Sequence, residues 1–218
     1  MKKIFILLIS IACFTTTYSQ KKDITLEEIW KENQFYPKSV RGFNSMNDGE
    51  HYSTMERVED GQEIIKYKFK SGKKVRTLFK STDFEIPKVG RYTFSEDEKQ
   101  LLLATETEKI YRHSSKSVFY IYNVFTDKLK KLSDDKVMYA TFSPQGDKVA
   151  YVMDNNLFIQ NIRSGKVTQV TTDGKKNHII NGASDWVYEE EFALVRSFEW
   201  APDGEHIAYY KFDESAVK

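Results

Sequence analysis

From about residue 40 onward, short runs rich in Val, Ile, Tyr, Phe and Thr alternate with clusters of Gly, Asp, Asn and Ser, and the whole chain holds only four prolines. Runs of this length and composition, bounded by turn residues, predict strands. One pattern recurs along them. It reads Tyr92-Thr93-Phe94-Ser95, then Ala140-Thr141-Phe142-Ser143-Pro144-Gln145-Gly146-Asp147-Lys148-Val149-Ala150-Tyr151, then Phe198-Glu199-Trp200-Ala201-Pro202-Asp203-Gly204-Glu205-His206-Ile207-Ala208-Tyr209. Each copy is a strand, a tight turn and a second strand. The anchors Phe94, Phe142 and Trp200 are spaced 48 and 58 residues apart, and Phe43 with Asp48-Gly49 is a weaker copy 51 residues before Phe94. Such a period suits one four-stranded propeller blade per repeat. Within one repeat, Lys148 to Met153, Leu157 to Ile162 and Lys166 to Thr171 are three strands linked by Asp154-Asn155-Asn156 and Arg163-Ser164-Gly165. A β-sandwich of unrelated hairpins would give strands of this kind but not the recurring order of aromatic, Ser or Ala, Pro, Gly and apolar pair. The predicted fold class is therefore all-β, a partial β-propeller of about three to four blades of four-stranded antiparallel sheet.

The first 39 residues follow another pattern. Lys2 and Lys3 precede the apolar run from Ile4 to Leu8, which continues through Ile9, Ile11, Ala12, Cys13 and Phe14 into Thr15-Thr16-Thr17-Tyr18-Ser19. A basic start, a short apolar core and a small polar end predict a secretory signal peptide over residues 1–19, cleaved near Ser19-Gln20. A spanning helix would need roughly 20 apolar residues, about twice this run. Cys13 is the single cysteine, and Ser10-Ile11-Ala12-Cys13 resembles a relaxed lipoprotein processing site, which leaves lipidation open as a second fate. Both routes predict export to the periplasm or the cell surface. Ordinary cleavage leaves no cysteine, which excludes disulfides, thiolate metal sites and cysteine catalysis. Residues 20–39 form a helical segment, because Thr25-Leu26-Glu27-Glu28 has capping-box spacing and Ile29 and Trp30 follow it. Residues 40–218 form the incomplete propeller, with no closing or capping repeat before Lys218.

Charge and composition narrow the function. Of 218 residues, 33 Lys and Arg face 32 Asp and Glu, a formal net charge of +1, so no nucleic-acid or anionic-membrane partner is expected. His51, His113, His178 and His206 lack zinc-ligand spacing, and no glycine-rich loop is present to hold phosphate, so neither metal nor cofactor is expected. The Asp-Gly pairs at Asp48, Asp173 and Asp203 read as turns, since the further oxygen ligands of a calcium loop are missing.

The longest repeat carries an extra stretch from about Asn177 to Glu191 that includes Asp185-Trp186-Val187-Tyr188-Glu189-Glu190-Glu191-Phe192. Ser184 or Asp185 could cap a short inserted helix, on which Glu189 and Glu191 lie about 100° to either side of Glu190. Three adjacent carboxylates repel one another when desolvated, so a site holding them together calls for a cation. A solvated charge run is the plainer reading of the same residues.

The run Asp185 to Glu191 closely resembles the signature of the dipeptidyl peptidase IV family, and Tyr111-Arg112-His113-Ser114 in the preceding repeat resembles a second family motif. The resemblance extends from the capped helix at Thr25 to Phe212. It implies that Glu190 and Glu191 bind the free N-terminus of a peptide substrate. It also implies that Arg112 positions the substrate carbonyl and ties down the glutamates, while Glu189 has no assigned role. In that family the propeller precedes an α/β-hydrolase domain carrying Ser, Asp and His, with the Ser on a Gly-x-Ser-x-Gly elbow. No serine in this chain has that setting, so no catalytic residue is expected here, and the sequence reads as the recognition part of a serine-type dipeptidyl aminopeptidase, inactive by itself. Its expected partners are peptides with a free N-terminus, its own hydrolase domain, and a second copy, since family members are often homodimers through parts outside this stretch. The alternative is a non-catalytic propeller that binds peptide or protein.

Overall fold

The computed structural model describes residues 22–37 and 42–217, so the predicted signal peptide and Cys13 lie outside the described residues. The chain divides into two compact units, Met1–Val40 and Arg41–Lys218.

The first unit contains helix α1, Leu26–Trp30. Its predicted capping box is present: the Thr25 hydroxyl accepts from the Glu28 amide at 3.2 Å, and the Glu28 carboxylate accepts from the Thr25 amide at 3.1 Å. These bonds satisfy two donors that the first helical turn leaves free.

The second unit is a partial β-propeller. Its first blade is β1 (Asn44–Ser45), β2 (His51–Val58), β3 (Gly61–Lys68) and β4 (Lys74–Lys80). The second is β5 (Val89–Phe94), β6 (Gln100–Lys109), β7 (Ser115–Asn123) and β8 (Lys128–Lys131). The third is β9 (Met138–Phe142), β10 (Lys148–Met153), β11 (Asn156–Asn161) and β12 (Val167–Gln169). Each of the three is an antiparallel sheet whose spatial order follows the sequence. A fourth unit holds β13 (Ile179–Asn181), helix α2 (Trp186–Phe192), β14 (Phe198–Trp200), β15 (Ile207–Tyr209) and β16 (Lys211–Asp213), with β14 paired to β15 and β13 to β16.

Strand alternation explains how the blades stack. On β6, Leu101 and Leu103 face the first blade and pack with Ile64 and Phe79, whereas Leu102 and Ala104 face the third and pack with Val149 and Tyr151. On β10 the intervening residues Ala150 and Val152 turn the other way, toward Ala183 and Phe198 of the fourth unit. The middle strands are apolar on both faces because each is covered on both, as in stacked sheets.

The repeated turn has a second use. In the second blade Ser95 bonds back to Gln100, in the third Ser143 to Lys148, and in the fourth Ala201 to His206, each through a main-chain N–H to O=C bond of 2.9 Å. Neighbouring turns are then tied together. Asn47 donates to the Glu96 carbonyl at 2.7 Å, Gln100 to the Gly146 carbonyl at 2.5 Å, and Lys148 to the Gly204 carbonyl at 3.0 Å. Gly49, Gly146 and Gly204 have φ of +67°, +69° and +67°, and Glu98 takes the equivalent place in the second blade at +56°.

The β6–β7 ribbon extends to Lys109, with a register shift between Thr105 and Glu108. The inserted stretch opens the fourth unit instead of closing the third, because β13, just before it, pairs with β16.

Candidate functional site

Helix α2 projects from a narrow neck. Ala183 pairs with Arg196 across it, the Ser184 amide reaches the Val195 carbonyl at 3.2 Å, and the Ser197 amide reaches the Gly182 carbonyl at 3.0 Å. Asp185 is the N-cap, its carboxylate accepting from the Tyr188 amide at 2.7 Å. Of the two caps the sequence allowed, the structure uses this one. Ala193 ends the helix in the left-handed conformation, at φ 52°, a common way to close off a last turn.

The three consecutive glutamates meet three different environments. Glu189 is 1% exposed, and its Oε1 accepts from the main-chain amides of His113 at 2.7 Å and Ser114 at 2.8 Å. Burial disfavours its charge, but the Ser114 hydroxyl and those two amides outweigh burial and hold the carboxyl below its usual range. Glu190 is half-buried and forms an ion pair with Arg112, Oε2 to Nη1 at 3.3 Å. Glu191 is exposed and makes no ion pair or side-chain hydrogen bond among the described residues.

Arg112 sits in the loop between β6 and β7, two blades before the helix. The Glu189 carboxylate fixes the backbone one and two residues past it, so the anchor that seats the helix also seats the arginine. Arg112 is largely exposed and Glu190 much less so. The arrangement brings all three residues singled out from sequence, Arg112, Glu190 and Glu191, to one helix and the loop beneath it. Sequence reasoning left Glu189 without a role, although its place in the triplet one step from Glu190 gave it a separate helical face.

The charges sum simply. Glu190 and Glu191 bring two negative charges and Arg112 one positive, so the site is left with one uncompensated carboxylate on an exposed helix face. Such a site suits a single cation.

Stacked four-stranded antiparallel blades, with a carboxylate-bearing helix inserted at the start of the fourth unit, mark the chain as a partial β-propeller. Residues 95–218, more than half of the chain, match the family described as the dipeptidyl peptidase IV N-terminal region, and the chain belongs to that family. It is 30% identical to a dipeptidyl-aminopeptidase B of Neurospora crassa and 32% identical to that of Phaeosphaeria nodorum, in each case over 93% of this chain and 24% of the relative. The crystal structure of Porphyromonas gingivalis dipeptidyl peptidase 4 superposes with a TM-score of 0.79 at 42% identity, covering 90% of this chain and 28% of that one. The chain thus spans about a quarter of the length of these relatives.

Proposed function

We propose that this chain is the substrate-recognition propeller of an exported, serine-type dipeptidyl aminopeptidase, and that Glu190 and Glu191 hold the free N-terminus of a peptide while Arg112 positions its backbone carbonyl. The observation that carries the reading is the Arg112–Glu190 ion pair at 3.3 Å with Glu191 left free beside it. A peptide α-amine has a pKa near 8 and is largely an ammonium at neutral pH. Its single positive charge matches the one uncompensated carboxylate, and its N–H groups can donate to both glutamates as charge-assisted bonds.

Binding the amine sets a ruler. With the N-terminus fixed on α2, a nucleophile in the remainder of the protein meets the peptide bond after the second residue, so the product is a dipeptide. Membership of the dipeptidyl peptidase IV family supports a preference for Pro or Ala at that second position. Export to the periplasm or cell surface accords with the N-terminal sequence pattern. On this reading the 218 residues alone are inactive, since the hydrolytic residues belong to the rest of the protein.

The test is release of a chromogenic amine from a Gly-Pro anilide by the protein expressed from its complete reading frame. Glu191→Ala should lower kcat/KM for free-amine substrates about tenfold or more, the scale of a lost charge-assisted hydrogen bond. An unchanged kcat/KM in that variant would sink the proposal, as would equal turnover of an N-acetylated substrate.

A further inference from the structure

The first strands of the second and third blades, with β14 of the fourth unit, line a groove of about 590 Å³. β5, β9 and β14 all run toward the tied turns, since Gln100 joins the second blade to Gly146 of the third and Lys148 joins the third to Gly204 of the fourth unit. Their starts therefore lie together at one end of the groove and their ends at the other. The first of these ends is beside the neck of the α2 insertion, because Arg196, which lines the groove, pairs with Ala183 across that neck. Arg112, Glu190 and Glu191 do not line it, so the groove is separate from the amine site.

Its walls are apolar and its two ends differ in charge. Phe94, Phe119, Phe142 and Trp200 supply aromatic surface, and the Trp200 indole donates to the Thr141 carbonyl at 3.4 Å. Arg196 is already engaged: it pairs with Glu199 and donates to the Thr141 hydroxyl at 3.2 Å. Arg91 is not. Successive register pairs place Arg91, Ala104 and Phe119 in line across the second blade, and the guanidinium carbon of Arg91 is 5.8 Å from the centre of the Phe119 ring. Contact with a ring face leaves the N–H donors of the group free, and Arg91 makes no ion pair or side-chain hydrogen bond among the described residues. Phe94 follows Arg91 along β5 by about 10 Å at the rise of an extended strand, and Glu96 lies beyond it at the turn end. The neck end of the groove thus carries one uncompensated positive charge.

We propose that this groove is a second peptide-binding site, in which Arg91 takes a carboxylate and the aromatic walls take the apolar side chains beside it. The planar fork of a guanidinium matches the two oxygens of a carboxylate, and aromatic surface around the pair strengthens the bond by excluding water. The ligand is an acidic segment of a peptide, held apart from its N-terminus; that the ligand is a peptide rests on the reading given under Proposed function. The two sites are complementary in sign: on α2 carboxylates hold a cation, and in the groove a cation holds a carboxylate.

The experiment measures, by calorimetry on the complete protein, the binding of acetyl-Phe-Glu-Phe-amide, acetyl-Phe-Gln-Phe-amide and acetyl-Phe-Gln-Phe with a free C-terminus. Acetylation removes the ammonium, so none of them can use Glu190 and Glu191 in the way proposed above. The uncharged peptide should bind about tenfold or more weakly than the better of the two acids, the scale of a charge-assisted bond to a carboxylate. Which acid binds tighter tells whether a side-chain or a terminal carboxylate is taken. Arg91→Gln should abolish that difference, and Glu191→Ala should preserve it. Equal binding of the three peptides by wild type, or binding of none, overturns the proposal without recourse to any variant. So does a difference that survives Arg91→Gln, or one that is lost in Glu191→Ala, which would put the peptide on α2 instead. Failure of the proposed function shows separately, as absent turnover of the Gly-Pro anilide, and the binding comparison does not depend on turnover.

Discussion

The carboxylate of Glu189 lies 2.8 Å from the main-chain nitrogen of Ser114, 75 positions earlier in the chain. This bond joins a helix inserted in the fourth unit to a loop of the second blade. The acidic triplet is therefore not one motif with one purpose: its first member builds the site that the other two occupy.

Glu189→Ala should be the most disruptive change in the triplet for stability. It strands two main-chain donors that now share one buried acceptor, at an expected loss of about 2–4 kcal/mol by equilibrium unfolding. Glu189→Gln retains an acceptor oxygen of nearly the same shape and should lose clearly less. Equal losses in the two variants would contradict the anchoring role.

The same residue predicts an acid response. A carboxyl whose folded pKa is depressed stabilises the fold above its unfolded value, about 4.3, and that contribution is lost as pH falls through the lower folded value. Unfolding curves of wild type and Glu189→Gln should differ fully near pH 7, begin to approach one another as pH falls below about 4.3, and meet only below the lower folded value. A gap that widens in acid would show that the carboxylate is not the stabilising form.

Arg112→Ala should behave in the opposite way to Glu189→Ala. Its guanidinium is largely exposed and meets Glu190 at 3.3 Å, and such pairs contribute about 0–1 kcal/mol to stability. The unfolding midpoint should hardly move, whereas KM for a free-amine dipeptide substrate should rise about tenfold or more, the scale of a lost charge-assisted bond. Calorimetry alongside steady-state kinetics separates the two.

A fourth prediction concerns the repeated turn. A methyl at Gly204 would meet Gln145 Oε1 at 1.7 Å, and moving that side chain breaks its 3.1 Å bond to the Pro202 carbonyl. Gly49 shares the φ of +67° but has nothing within 4 Å of a Cβ. Gly49→Ala should therefore show only the left-handed penalty of about 1–2 kcal/mol, and Gly204→Ala measurably more in the same denaturation assay.

Much of this architecture was legible in the sequence because blades repeat. The aromatic anchors, the turn glycines Gly49, Gly146 and Gly204 and the apolar runs of β6 and β10 mark strands and their order, and Lys148 to Met153 is a strand with those same bounds. The cap at Thr25 was legible for the same reason: its spacing encodes its bonds. Pairings between distant segments were not. Nothing local in Ile179-Ile180-Asn181 shows that it bonds to Lys211-Phe212-Asp213, and two such short strands carry too little periodicity to assign. The site residues Arg112, Glu190 and Glu191 came from resemblance to a family, whereas the burial of Glu189 depends on contacts with a loop 75 residues earlier that no window of sequence contains.

The bonds from Asn47 to Glu96, Gln100 to Gly146 and Lys148 to Gly204 make each tight turn an acceptor for the blade before it. Mechanically the sheets then resemble a linear lattice with nearest-neighbour coupling more than one cooperative body. A defect at one turn would weaken the adjoining blade first and fade with distance, so a lesion placed in the third blade reaches the inserted helix and the Arg112 loop from both sides at once.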